Sequence, residues 1–327
     1  MNWLSSFLNT KPNTKPPKPT IPKAEVTDRI DDPNFFNDVS KIMEHISAEN
    51  FPKLALSGYS ILGQENTVLA EERSKVQANL HDGRFDGCED RAISILLSNA
   101  IGDALGAPLE FSSVRYIQEP ELTDFNQLNI WEHPRYNRFR LEPGQWTDDF
   151  SMAQCIADTL LTHKELKPID LRARFCCWWY LGYCNAFGFA EDQTTRASVG
   201  LGGNISYSLY EFVKNPTIPF TLSGDLNTSG NGSVMRNSAI PIFYYKYGLD
   251  AAMKAAYEQS KTTHQGDEAA ELCRLLTFVC FKGIQTGDKS KVFDSLETEF
   301  TSKLYSVSCL AKSLDEEEHE ENKGIRH

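Results

Sequence analysis

The sequence "GQWTDDFSMAQCIADTLL", which runs from Gly144 to Leu161, predicts a helix with an unusual beginning. From Phe150 onward its apolar residues recur at intervals of three and four, the spacing of one buried stripe on an amphipathic helix. Thr147, Asp148 and Asp149 stand directly before that stripe. Such residues cap helix N-termini, where a side-chain oxygen accepts a hydrogen bond from a free backbone N–H. One residue suffices for a cap, and adjacent carboxylates repel each other unless a cation neutralises them. The triplet therefore has two interpretations, a helix cap and a divalent-cation site.

The same helical spacing recurs along the chain from about residue 89. The stretch "EDRAISILLSNAIGDALGAPLEF" places an apolar stripe on one helix face and predicts a helix that ends near Ala107, because Pro108 follows. Asp103, between Gly102 and Ala104, is expected to hydrogen-bond a neighbouring loop. Further helical segments are predicted at 150–163, 170–186, 195–213, 234–247, 250–262 and 267–284, and the alternation typical of strands is scarce. The predicted fold class is all-α.

Composition divides the chain of 327 residues into four regions. Residues 10–23 combine prolines with four lysines and no acid, so 1–23 are predicted to be a disordered Pro/Lys-rich arm. A small helical extension is predicted for 24–85 and the main helical domain for 86–312. Residues 313–327 are rich in acids and are predicted to be a solvated tail.

The overall charge and cysteine usage limit the class of protein. A formal net charge of −12 argues against nucleic acid as the main partner, since phosphate binding needs clustered Lys and Arg. No apolar run approaches the ~20 residues of a membrane span, and the N-terminus is a poor signal peptide. The eight cysteines lack zinc-like spacing and are expected to be reduced core residues. The predicted location is the cytoplasm, and these features do not exclude the nucleus.

Four loops place oxygen-bearing or glycine-rich residues beside helix ends. They contain Glu110, the triplet at 147–149, the stretch "NTSGNGSVMRNSAIP" (227–241), which is expected to open a helix at about Val234, and "TTHQGDEAA" (262–270) with His264 and Asp267. Each has a structural explanation when taken alone: a solvated carboxylate, a turn, a cap or a satisfied loop histidine. Together they combine hard oxygen ligands suited to Mg²⁺ or Mn²⁺ with an anion site at a helix start. That combination suits a nucleotide-sugar substrate.

In order and spacing, these four motifs resemble those of the ADP-ribosylglycohydrolase family, over roughly residues 86–290. The resemblance implies an all-α orthogonal bundle whose cleft holds two Mg²⁺ or Mn²⁺ ions. It implies that Thr147, Asp148 and Asp149 bind metal and that Glu110 lies beside the metal site. It also implies that the diphosphate and neighbouring ribose of ADP-ribose are received by Thr228, Ser229, Gly230, Asn231, Gly232 and Ser233, with His264 on the substrate side.

The activity implied is Mg²⁺-dependent hydrolysis of the glycosidic bond between ADP-ribose and a modified acceptor, either a protein side chain or a small molecule. Glu110, Asp148 and Asp149 are the expected catalytic residues. Glu110 would act as acid/base or position water, while the two aspartates hold metal. The implied partner is ADP-ribose or an ADP-ribosylated protein.

The chain departs from the family pattern at two places. Phe150 stands where the family has threonine, and nothing after Thr286 resembles the family's second metal motif, Asp-x-Asp-Thr. The resemblance therefore predicts a bundle that lacks its C-terminal helices, with an oligomer or partner covering the exposed side. The alternative function is a pseudoenzyme that binds ADP-ribose without turnover. Asp267 has two interpretations, a partial substitute for the missing ligands and a helix cap.

Overall fold

The computed structural model describes residues 87–112, 130–132, 136–186, 198–228 and 230–312. Within these ranges the α-helices number nine and no strand occurs, which confirms the predicted all-α class. The predicted arm (1–23), extension (24–85) and tail (313–327) lie outside the described residues. The helices are α1 (Gly87–Gly106), α2 (Asp148–His163), α3 (Pro168–Leu181), α4 (Gly203–Lys214), α5 (Ala239–Tyr244), α6 (Leu249–Lys261), α7 (Asp267–Thr286), α8 (Lys289–Glu299) and α9 (Tyr305–Ala311).

The main core forms where α2, α3, α4, α5 and α6 meet. Phe175 and Trp178 of α3 are fully buried there. Buried arginines connect the helices: Arg174 pairs with Asp158 of α2, and Arg172 of α3 pairs with Glu211 of α4 at 2.9 Å. A smaller apolar cluster joins α7 to α8 and α9. Five of the eight cysteines are buried and all eight are free thiols, as the sequence predicted.

Helix α1 is anchored to the bundle by polar contacts and leaves its apolar stripe uncovered by the described residues. Leu97, Ile101 and Leu105 are 49%, 55% and 47% exposed, and Asp103 is the buried residue of the helix. The anchors are Asn99, which donates to the carbonyl of Met235, and Asp103. The prediction from periodicity located the apolar face correctly, but spacing along one helix does not show what covers that face.

The stretch Gly87–Leu109 is long and apolar enough, by length and composition, to cross a membrane. This differs from the expectation that no apolar run approaches that length. The helix nevertheless packs on α2 and α7 in this bundle and contributes a buried carboxylate to it. Through those contacts α1 forms part of the helical domain.

Several predicted helix bounds are wrong for identifiable reasons. Gly182, at φ +76°, ends α3 before residue 186, because its left-handed conformation breaks the helix. Helix α4 begins at Gly203 rather than 195, and α5 begins at Ala239 rather than Val234, after a 3₁₀ turn at Asn231–Ser233. Two helices follow Thr286 that periodicity did not predict. Asp288 caps the first of them, α8, by accepting from the N–H of Ser290.

Candidate active site

The N-terminus of α2 is capped from another helix, by Asp103 of α1. Its carboxylate accepts from the N–H of Thr147 at 2.9 Å, the hydroxyl of Thr147 at 2.7 Å and the N–H of Phe150 at 2.9 Å. Thr147, at the N-cap position, makes no capping bond with its own side chain. Asp103 thus does what was expected of it and bonds a neighbouring loop. Since it also supplies the cap, Asp148 and Asp149 are not needed for that task.

Burial raises the pKa of four carboxyl groups at this helix end, and neighbouring carboxylates raise it further for Glu110, Asp148 and Asp149. Burial and the neighbouring carboxylate of Asp103 raise the pKa of Glu110 to about 7. Burial, Asp103 and Glu110 raise the pKa of Asp149 to about 7. Asp148 is 6% exposed, and burial together with the charges of Asp149 and Glu110 raises its pKa well above the ordinary value. Ionising all four groups at neutral pH without a cation is therefore unfavourable.

The donor set of this carboxyl cluster fits a divalent cation in chemistry and charge. Among the described residues, no ion pair involves Asp103, Glu110, Asp148 or Asp149. Carboxylate and hydroxyl oxygens are the ligands that Mg²⁺ and Mn²⁺ prefer. The set is incomplete as a ligand cage, since no three His, Cys, Asp or Glu side chains within the described ranges converge as metal ligands. The cluster therefore offers part of a coordination sphere.

Gly200 lies against Asp148, a contact that the sequence prediction missed. A Cβ at Gly200 would overlap the Oδ1 atom of Asp148, and the φ of Gly200 is +89°. Only glycine adopts that conformation readily while leaving room for the carboxylate. The glycine-rich run "VGLGGN" (199–204) ahead of α4 was the available signal in the sequence.

The second half of the site is the glycine loop at 230–233, which packs on His264. A Cβ on Gly232 would lie 3.3 Å from Nε2 of His264, and one on Gly230 would lie 3.9 Å from the same atom. The side chain of His264 is buried, and its Nδ1 lies 2.8 Å from the hydroxyl of Thr263. Burial and the nearby Arg236 lower the pKa of His264 to about 3, so the ring is neutral at physiological pH.

Only part of the predicted 228–233 segment lies beside His264. Ser233 is fully buried and its hydroxyl pairs with that of Ser260 at 2.8 Å. The hydroxyl of Thr228 bonds Asp225, and Ser229 lies outside the described residues. Gly230, Asn231 and Gly232 remain beside His264, with Asn231 exposed. The hydroxyls of Ser233 and Thr228 therefore bond other protein side chains and stabilise the conformation of the loop.

Asp267 occupies neither of its two predicted roles. Its carboxylate accepts from Tyr257 at 2.7 Å and pairs with Lys261, and the N-cap position of α7 belongs to Gly266. Because these contacts hold it in a surface ion pair, it does not complete the carboxyl cluster. The prediction relied on proximity in sequence to His264, which does not determine side-chain direction.

The residues 199–204 join the two halves of the site. Gly200 contacts Asp148 at one end, and Nδ2 of Asn204 lies 3.5 Å from the Cβ position of Gly230 at the other. Arg236 is fully buried. Burial lowers its pKa to about 9, and the negative charge of Asp148 acts in the opposite direction and raises it. The positive charge of the same guanidinium contributes to lowering the pKa of His264. The carboxyl cluster and the glycine loop are thus linked through residues 199–204 and lie near the same buried guanidinium.

Comparison with known proteins identifies the family of this chain. The ADP-ribosylglycohydrolase family model matches residues 86–325. The chain is 31% identical over 202 residues to ADP-ribosylarginine hydrolase Tri1 of Pseudomonas putida (62% of this chain, 49% of the relative) and 27% identical over 204 residues to Tri1 of Serratia proteamaculans (62% and 50%). It spans about half the length of these curated relatives.

A solved structure described as an ADP-ribosylglycohydrolase-related protein complex aligns with 64% of this chain and 61% of its own chain, at a TM-score of 0.47 and 24% identity. The family match, by contrast, extends over most of the sequence and contains the triplet, the glycine loop and His264. The chain belongs to the ADP-ribosylglycohydrolase family.

Proposed function

We propose that this protein hydrolyses the glycosidic bond between ADP-ribose and a modified acceptor, with Mg²⁺ as cofactor. The observation that carries the proposal is the carboxyl cluster at the start of α2, where burial and neighbouring carboxylates raise the pKa of Glu110, Asp148 and Asp149 and no ion pair forms among the described residues. The relatives named ADP-ribosylarginine hydrolases make ADP-ribosylated arginine the first substrate to test. Here water adds to ribose C1, the bond from C1 to the acceptor breaks, and the acceptor leaves with a proton.

Glu110 is the acid/base candidate in this proposal. It follows a 3₁₀ turn (Ala107–Leu109) and is half-buried at the edge of the carboxyl cluster. A pKa of about 7 lets its carboxyl oxygen both hold and release a proton near neutral pH. Glu110 therefore suits proton transfer to the leaving acceptor or from the attacking water.

Thr147, Asp148 and Asp149 are the proposed metal-holding residues. A bound Mg²⁺ would supply the charge that the carboxylates lack and would orient and acidify a bound water. The contact with Gly200 restricts the carboxylate of Asp148, while Asp103 holds the backbone of Thr147 and Phe150. The protein thereby fixes the direction of these side chains before a ligand arrives.

The glycine loop and His264 are the proposed binding half. The lack of side chains at Gly230 and Gly232 lets the loop pack closely on His264, whose neutral ring can hydrogen-bond a ligand oxygen such as that of a diphosphate. Binding without turnover is the second candidate function. The incomplete ligand set within the described ranges favours it.

Release of ADP-ribose from ADP-ribosylated arginine, measured by chromatography with Mg²⁺ or EDTA, tests the proposal. We expect Mg²⁺-dependent release that falls about 100-fold or more in Asp148→Asn and Asp149→Asn, since both remove ligand charge. Asp250→Asn is the matched control, because Asp250 is also in a helix first turn but is exposed.

Three results would decide between the candidates. Equal release by wild type and both aspartate variants would exclude the metal role. ADP-ribose binding by calorimetry with no release on any ADP-ribosylated acceptor would favour the binding protein. Neither binding nor release would contradict the assigned site.

A further inference from the structure

His264 stands at the end of a buried hydrogen-bond chain that begins at Arg236. The Nη2 atom of Arg236 donates to the hydroxyl of Thr263 at 2.8 Å. That hydroxyl lies 2.8 Å from Nδ1 of His264. All three side chains are at most 1% exposed, so bulk water does not compete for these bonds.

The direction of each donor in this chain follows from chemistry. A guanidinium only donates, so Thr263 must accept from Arg236. Within the described ranges, the acceptor within reach of the Thr263 proton is Nδ1 of His264. Were Nδ1 protonated instead, the buried hydroxyl would lack an acceptor, which is unfavourable. The arrangement therefore makes Nδ1 an acceptor and leaves the ring proton on Nε2.

Several contacts hold the guanidinium of Arg236 in the position from which it donates to Thr263. Its Nε donates to Oε1 of Gln259 at 3.0 Å, and its Nη2 also donates to the carbonyl of Gln259 at 3.1 Å. The guanidinium stacks on the ring of Phe175 at 4.3 Å. Among the described residues no carboxylate pairs with this guanidinium. Its Nε and Nη2 atoms therefore donate to Gln259 and the threonines.

The protonated Nε2 faces the glycine loop, since the Cβ positions of Gly232 and Gly230 lie 3.3 and 3.9 Å from it. We propose that Arg236 and Thr263 are positioning residues that fix His264 as the Nε2–H tautomer, so that it donates to an oxygen of the ligand held at residues 230–232. The low pKa of His264 agrees with a ring that is neutral in the free protein. The ligand part rests on the proposed function, whereas the tautomer does not.

The test is a long-range ¹H–¹⁵N correlation spectrum of protein labelled at histidine nitrogens. The chain has seven histidines, and loss of one pattern in His264→Gln assigns the signal. We expect a single Nε2–H pattern in wild type, with the Nδ1 frequency of a hydrogen-bonded acceptor. Wild-type protein with the proton on Nδ1 would overturn the proposal without any variant.

Thr263→Val removes the hydroxyl at constant size and is expected to move Nδ1 to the frequency of an acceptor without a bond and to admit the second tautomer. Thr263→Ser should restore the wild-type pattern. Thr262→Val is the matched control, because Thr262 is buried and contacts Arg236 but bonds the carbonyl of Gln259 rather than His264. An unchanged Nδ1 frequency in Thr263→Val would overturn the proposal.

Calorimetric titration of ADP-ribose separates this inference from the proposed function. Thr263→Val should bind about 5- to 10-fold more weakly than Thr262→Val, the effect of one misdirected hydrogen bond. The predicted tautomer in a protein that does not bind ADP-ribose would refute the proposed function alone. Binding that is equally tight in the two valine variants would refute the positioning role alone.

Discussion

At the scale of single residues, the site combines acids that share a helix end but serve different purposes. The carboxylate oxygens of Asp103 accept hydrogen bonds from the backbone N–H groups of Thr147 and Phe150. Asp148 and Asp149 begin the helix without capping it, and Glu110 lies beside them. The cap is thus supplied by Asp103 of α1, and Asp148 and Asp149 of α2 remain available for the proposed ion site. This division leaves uncompensated negative charge in a buried position.

That charge predicts a pH dependence of stability in protein freed of metal with EDTA. Because folding raises the pKa of Glu110 and Asp149 to about 7, their contribution to stability is present at low pH and is lost as pH rises through 7. Between pH 6.5 and 8.5 the loss is up to about 1 kcal/mol for Asp149 and less for the more exposed Glu110. Urea unfolding at the two pH values measures it.

The double variant Glu110→Gln/Asp149→Asn should lose less stability over this interval, and Asp250→Asn should behave as wild type. His264 has its pKa lowered to about 3, so loss of its proton in the unfolded chain adds about 0.4 kcal/mol of stability between pH 6.5 and 8.5, equally in wild type and in both variants. A wild-type protein that is equally stable or more stable at pH 8.5 would contradict the proposed carboxyl coupling.

At the scale of elements, α2 depends on α1 for its N-terminal cap. Asp103→Ala would leave two backbone N–H groups and the Thr147 hydroxyl without their acceptor. We expect a loss of about 2–3 kcal/mol in the free energy of unfolding, from urea denaturation. Asp288→Ala, which removes the exposed cap of α8, should cost about 1 kcal/mol. Equal costs would show that the capping of α2 by α1 is no stronger than an ordinary surface cap.

Helix periodicity and the motifs allowed part of these elements to be predicted. The start of α2 and the end of α1 near Ala107 agree with the structure, because both have local signals in the sequence. The bond from Asp103 to Thr147 spans 44 residues, and no local pattern shows the partner across such a distance. The packing of Gly200 against Asp148 and the chain from Arg236 to His264 are likewise contacts between distant segments.

At the scale of the whole molecule, two halves of a site are joined through residues 199–204 and the buried Arg236. The exposed stripe of α1 runs along the same helix that carries Asp103. An oligomer or partner over the C-terminal side of the bundle stays a prediction.

The measurement that tests the central claim most directly is titration of the metal-free protein with Mn²⁺, followed by the electron paramagnetic resonance signal of the free ion. Wild type and Asp250→Asn should remove Mn²⁺ from solution with the same affinity. The Asp148→Asn/Asp149→Asn variant should bind at least about 10-fold more weakly, since two of the charged oxygen ligands are gone. If this variant binds Mn²⁺ as tightly as wild type, or if wild type does not bind it at all, the carboxyl cluster is not a metal site.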